Sequence, residues 1–327
     1  VFEEWKELLD IEERLTSKGY GSVEDLAEVE TKKHRYLVKG LILGSKDSKA
    51  PVFGLTAGVH GLERIGTKVV LSFLSHLLKR LSWDKPLQDL LSQLRFVTIP
   101  IVNPTGMALN QRSNISGVDL MRNSPVQADH DPPFLVGGHR FTSWLPWYRG
   151  EVPGELEPEN KALLDFFEKH AFPSPRFLAL DVHSGFGIRD RLWYPFAFTK
   201  KEFPFIGQVK QIRELFEESY PHHIYRIEPQ SKSYTTHGDL WDHLFEAYYG
   251  KDALKVSAKD GQSRGIFIPW TLEMGSWLWI RKNPRQLTKS LGLFNPVLPH
   301  RRKRILRRHL SLLEFLMKMT CFSKSWS

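Results

Sequence analysis

The chain has 327 residues, 41% hydrophobic and 25% charged, a balance that supports an ordinary globular core and excludes wholesale disorder. Its 46 Lys and Arg exceed its 37 Asp and Glu, giving a formal charge of +9, part of it crowded into the run His300 to Arg308. The single cysteine, Cys321, excludes an intrachain disulfide and a thiolate metal cluster, and no apolar run reaches the length of a membrane span.

The opening residues, Val-Phe-Glu-Glu-Trp-Lys-Glu, do not read as a signal peptide, so the expected location is cytoplasmic. The chain starts at Val1 rather than Met, which leaves a processed or trimmed N terminus open. Residues up to about Ala27 are predicted to be helical, with Leu8, Leu9, Ile11 and Leu15 on one side and Gly19 and Gly21 as breakers, making 1–34 a helical preface. Strands are expected over Arg35 to Gly44 and Pro51 to Ala57, and the short polar turn between them predicts an antiparallel hairpin at a sheet edge. Glu63 to Leu81 is a strong helix, because Ile65, Val69, Val70, Phe73, Leu74, Leu77 and Leu78 form one apolar stripe. Leu94 to Asn103 reads as a central strand.

From Asn103 to about Pro153 the chain is rich in Gly, Pro, Asn and aromatic residues, an excursion of the kind that carries function. A helix follows over Pro158 to His170, then an apolar strand, Arg176 to His183. Phe205 to Tyr220 and Gly238 to Tyr249 are helical, with a short strand between them at Tyr225 to Glu228. Ile266 to Glu273 is a strand, and 298–320 is a basic amphipathic helix whose apolar stripe (Ile305, Leu306, Leu310, Leu313, Leu316) is expected to dock on the core. With no repeat and no shift in composition, the fold class is α/β: a single α/β/α domain over 1–327, with a mixed, mostly parallel sheet.

Polar residues cluster just past strand ends, where an open parallel sheet places its ligand site. Gly54-Leu-Thr-Ala-Gly-Val-His-Gly-Leu-Glu63 delivers His60 and Glu63 from one strand-to-helix turn. His183 ends a second strand in Leu180-Asp-Val-His-Ser-Gly185, and Glu273 ends a third in Thr271-Leu-Glu-Met-Gly275. Two imidazoles and a carboxylate suit zinc of the catalytic type, which keeps one position open. Asp181 is a candidate to orient a ligand, or an ordinary buried acid.

These pieces, with Asn103-Pro-Thr-Gly106, Arg112 and Gly117-Val-Asp-Leu-Met-Arg-Asn123 between them, resemble in order the zinc metallocarboxypeptidase superfamily, including its aspartoacylase and succinylglutamate desuccinylase-like branch. The resemblance spans roughly Pro51 to Ser276. It implies a carboxypeptidase-like fold and one Zn2+ per chain on His60, Glu63 and His183. It also implies that Glu273 is the catalytic acid/base, that Arg112 polarises the scissile carbonyl, and that Arg122 and Asn123 bind substrate with Tyr234 as the mobile tyrosine. Asn103 and Pro104 are expected to shape their loop, and His237 is not expected to be a ligand. The segment Gly185 to Trp193, with Arg189, Arg191 and Trp193, reads either as pocket wall or as loop surface. One position departs from the pattern: Met121 stands where the family has Asn, and thioether cannot donate to a carboxylate.

The expected function is therefore a zinc metallohydrolase that cleaves an amide next to a carboxylate-bearing group. The default is a metallocarboxypeptidase acting on peptides; the alternative is an N-acyl amino acid deacylase. A third reading, from a different class, is a retired enzyme that binds anions through its basic tail. No specific nucleic acid partner is expected, and the oligomeric state is left open.

Overall fold

The computed structural model describes residues 1–250, 264–289 and 291–322. Eight strands form one mixed sheet in the order β1-β2-β4-β3-β5-β8-β6-β7, with helices on both faces. The strands are β1 (Gly21–Glu30), β2 (Arg35–Gly44), β3 (Val52–Ala57), β4 (Arg95–Ile99), β5 (Arg176–Ser184), β6 (Arg191–Tyr194), β7 (Arg226–Pro229) and β8 (Ile266–Met274). The four that carry the site, β4, β3, β5 and β8, are adjacent and mutually parallel. Every residue of β3, β4 and β8 is buried, the pattern of strands covered on both faces.

Helix α2 (Arg64–Arg80) follows β3 directly and lays Ile65, Val69, Val70, Phe73, Leu74, Leu77 and Leu78 into the core. The predicted stripe is the buried stripe. Helices Pro158–His170, Ile206–Ser219 and Leu240–Tyr249 also lie within the predicted ranges. The C-terminal helix, Pro299–Phe322, buries Ile305, Leu312, Leu313 and Leu316 and leaves Arg302, Lys303, Arg304 and Arg307 exposed. It is tied to α2 by Glu314, which accepts from Arg80 at 2.6 Å and pairs with His76 at 3.2 Å.

Three sequence expectations are corrected. The N-terminal helix, α1 (Glu3–Ser17), stops well before Ala27, and Gly21–Glu30 is the edge strand β1 rather than part of a helical preface. Gly19, at φ +64, turns the chain, and Lys39 of β2 then reaches Asp25 at 2.7 Å and Glu12 at 3.1 Å, stabilising acids that look helical in sequence. Second, β2 and β3 do not form a hairpin: β4 lies between them, antiparallel to β2 and parallel to β3. An edge position would have left backbone N–H and C=O groups of the fully buried β3 unpaired; the hairpin that does form is β1 with β2. Third, part of the presumed loop Gly185 to Trp193 is strand, since β6 opens at Arg191 and pairs with β8 and β7. A short helix, Lys85–Gln93, was not anticipated; Asp84 caps it by accepting from Leu87 N.

Candidate metal centre and cleft

His60 leaves β3 in a turn that packs tightly on the next strand-to-helix connection. A Cβ on Gly61 would lie 2.1 Å from the Gly106 carbonyl carbon, so only glycine lets the two turns touch. Asn103 holds the same junction: its Oδ1 accepts from Gly106 N at 2.8 Å and its Nδ2 donates to Val59 O at 3.2 Å. Asn103 and Pro104 thus shape the loop, as expected.

His60, Glu63 and His183 are all buried, and one ligand atom from each lies within 4.8 Å of the other two. Glu63 sits between the imidazoles, with Oε1 2.8 Å from His60 Nδ1 and Oε2 3.0 Å from His183 Nδ1. Both rings therefore turn Nδ1 inward. Their outer nitrogens face carboxylates: His60 Nε2 is 3.0 Å from Asp119 Oδ1, and His183 Nε2 is 2.6 Å from Asp181 Oδ2. Asp181 is fixed in turn by Thr56 Oγ1 at 2.8 Å and Trp241 Nε1 at 2.9 Å. Carboxylates behind both histidines, fixing tautomer and orientation, are what a zinc site of this donor set requires, so the residues fit the ion.

The electrostatics follow from this packing. Burial disfavours the Glu63 carboxylate, but His60 and His183 outweigh it and hold the group well below the usual range. Burial likewise opposes a charged His183, but Asp181 and Glu63 raise it well above an ordinary imidazole. Asp119, buried, is held far down chiefly by Arg112 and His60. Glu273 goes the other way: burial, and then the negative Glu63, push it up to about 8. Its Oε1 accepts the Phe186 N–H at 3.0 Å.

A cleft of about 750 Å³ opens over the centre and contains His60, Glu63, His183, Glu273, Arg112, Arg122, Met121 and Tyr234 in its walls. Arg112 donates from Nε to Asp119 Oδ2 at 2.8 Å, lies 3.5 Å from Glu63 Oε1, and stands over the Trp147 ring at 5.9 Å. Arg122 is buried, donating to Val136 O at 3.3 Å and Met121 O at 3.2 Å. Among the described residues no carboxylate forms an ion pair with it. Tyr234 packs edge-on against Phe186 at 5.7 Å and Trp193 at 6.3 Å, and burial raises its phenol.

Not every anticipated residue reaches the cleft. Asn123 is outside it: Nδ2 donates to Arg149 O and Glu155 O, while Oδ1 accepts from Glu157 N at 2.7 Å and Asn160 Nδ2 at 3.2 Å. Its amide pins the loop and has nothing left for substrate. Trp193 is wall, whereas Arg189 is exposed and Arg191 lies over Phe186 and pairs with Glu228 at 3.4 Å. His237 is a backbone acceptor, taking Ala128 N at 3.0 Å. The sequence reading assigned no role to Asp119, although it lies inside a quoted motif, nor to Arg149, which donates from Nε to the Arg122 carbonyl at 3.0 Å.

The chain has relatives among known proteins. A family model described as zinc carboxypeptidase matches residues 26–260. Mouse mast cell carboxypeptidase A is 26% identical over 175 residues, 49% of this chain and 39% of that protein. The chain thus matches less than half the length of that curated relative. Among solved structures, thrombin activatable fibrinolysis inhibitor superposes with a TM-score of 0.67 at 19% identity, covering 97% of this chain and 73% of the other. Carboxypeptidase A from Helicoverpa armigera gives 0.62 at 15% identity, covering 94% and 71%. These structures share the fold, and through its match over residues 26–260 the chain belongs to the zinc carboxypeptidase family.

Proposed function

We propose that the chain is a metallocarboxypeptidase that removes the C-terminal residue of a peptide. The observation that carries this reading is Arg122: a buried guanidinium in the wall of the cleft that holds the metal centre, without a carboxylate partner among the described residues. A guanidinium fork suits a carboxylate in two-point contact, and a free chain terminus supplies one. His60, Glu63 and His183 would hold zinc, which when bound acidifies water and polarises a carbonyl. Glu273, in the cleft wall beside the centre, takes a proton from water and releases it to the leaving amine. Among the described residues no donor reaches its Oε2, so that oxygen is the one left for proton transfer. Arg112 is held by Asp119 at the cleft wall, where its charge stabilises a developing oxyanion.

The test is a panel of peptides with free or amidated C termini, set beside N-acyl amino acids, with the zinc-loaded protein. Free peptides should be cleaved and amidated ones lose activity roughly 100-fold or more, the loss expected when a buried charge is left unpaired. Equal cleavage of both would remove the role given to Arg122. Turnover of N-acyl amino acids alone would make the chain a deacylase.

A further inference from the structure

Between Glu273 and Glu314 the chain contains ten Lys and Arg and no Asp or Glu. Removing these ten from the 46 cations leaves 36 against 37 acids, so the excess charge of the whole chain resides in this one segment. Its cations include Arg281 and Lys282 on a short helix (Trp277–Lys282), Arg285 and Lys289 on the connection that follows, and Arg302 on the C-terminal helix, all exposed. Among the described residues only Arg308 of the ten forms an ion pair, with Asp190 at 3.1 Å.

The same segment builds one end of the cleft. Trp277, Leu293 and Phe294 line it. Trp277 donates from Nε1 to Gly185 O at 2.8 Å, and Ser184 Oγ donates to Phe294 O at 2.8 Å. Asn295 clamps the connection onto the metal turn, donating to Leu62 O at 2.7 Å and accepting from Ile65 N at 2.8 Å. Arg301 joins the short helix to the C-terminal one by donating to Trp279 O at 2.9 Å. Lys289 and Arg302 line a separate groove of about 330 Å³ together with Glu3 and Glu4, so the cations left facing away from any acid are Arg281, Lys282 and Arg285.

The wall of the cleft is a continuous aromatic path: Tyr234 touches Phe186 at 5.7 Å, and Phe186 touches Trp277 at 5.5 Å. Arg122 lies at the Tyr234 end, and Glu273 is bonded to Phe186 in the middle. A peptide with its terminal carboxylate on Arg122 and its scissile bond at Glu273 therefore leaves the cleft past Trp277, toward the unpaired cations.

We propose that this cationic rim selects peptides that are acidic in the residues upstream of the scissile bond. The inference rests on the carboxypeptidase reading for the direction in which the peptide runs. Exposed charges facing a charged ligand act mainly on capture and lose their effect with salt.

The experiment compares three peptides that share their two C-terminal residues and carry Glu, Gln or Lys at the four positions before them. With zinc-loaded protein at low salt, kcat/KM should favour the Glu peptide over the Gln peptide about tenfold, the equivalent of a few exposed ion pairs, and the Lys peptide should be poorest. The preference should collapse at high salt and in the Arg281→Gln/Lys282→Gln/Arg285→Gln variant, which should still cleave a short dipeptide-type substrate at the parent rate. Equal kcat/KM for the three peptides, or a preference untouched by the variant, overturns the proposal. If no peptide is cleaved, the carboxypeptidase reading fails, and fluorescence anisotropy of labelled peptides decides the present one. Salt-sensitive binding of the Glu peptide that the variant loses supports it; equal binding of Glu and Gln peptides overturns it. Anionic phosphatidylserine vesicles form a further arm. Vesicle binding that the variant loses, without any peptide preference, would assign the rim to a membrane surface and overturn the proposal.

Discussion

Asp119 stands 3.0 Å from His60 Nε2 through one carboxylate oxygen and 2.8 Å from Arg112 Nε through the other, so one buried acid orients both a metal ligand and the cleft arginine. Replacing it with Ala should lower zinc affinity about 10–100-fold, the usual effect of losing the group behind a ligating histidine. Asp119→Asn should recover part of that loss, because an amide oxygen can still accept from His60. Chelator competition measures the affinity, and an unchanged value in the Ala variant would show that the pair does not position the ligand.

Zinc affinity should fall as pH falls. Burial pulls His183 down, but Asp181 and Glu63 outweigh it and keep the metal-free imidazole charged to well above its ordinary range. Zinc takes the neutral form, so binding must expel that proton, and each step to lower pH makes the expulsion harder. Titrations with a competing chelator between about pH 6 and 9 should show affinity rising with pH throughout. In Asp181→Asn, which loses the charge that stabilises the imidazolium, the dependence should shift to lower pH.

Glu273→Gln should leave the metal in place and reduce turnover ~10²–10⁴-fold, the usual contribution of a general acid/base. Glu273 is not among the three grouped ligands, so metal content measured by elemental analysis should remain about one ion per chain. Loss of the metal in this variant would make Glu273 part of the binding site instead.

Met121 is buried in the cleft wall beside Arg122 and offers no donor. Met121→Asn should lower KM for a peptide with a free C terminus roughly tenfold, the value of one hydrogen bond to a charged group, with kcat little changed. An amidated peptide should not benefit. A uniform gain on both peptides would indicate that the new amide contacts something other than the terminal carboxylate.

The elements with local signals were legible. Pro158–His170 has Pro in its first turn and Lys169 and His170 in its last, and the structure places the helix on those residues. Strand β1 was not legible, because its acids find their partners only once the chain has folded back on it: Asp25 on Lys39, and Glu24 on Lys169 and His170. The order of β2, β4 and β3 was hidden for a similar reason: strand neighbours are chosen by burial across the sheet, not by proximity along the chain. In the site, His60, Glu63, His183 and Glu273 could be picked out as candidates because each lies in a short motif at or just beyond the end of a strand. The bond from Trp241 to Asp181 joins residues far apart in sequence, and neither residue type advertises it. Asn123 misled for the opposite reason: its motif marked it as functional, while its amide is spent on the loop backbone.

His183 and Glu273 are direct neighbours across the parallel pair β5 and β8, in unbroken register from Arg176↔Ile266 to Ser184↔Met274. The distance between the metal ligand and the acid/base is thus gauged by the ladder of the sheet, not by the length of chain that separates them. Residues can be gained or lost in the connections between these strands without altering that spacing. A single residue inserted within β8 would reverse the side on which Glu273 emerges. The scaffold is tolerant of change between its strands and exacting within them.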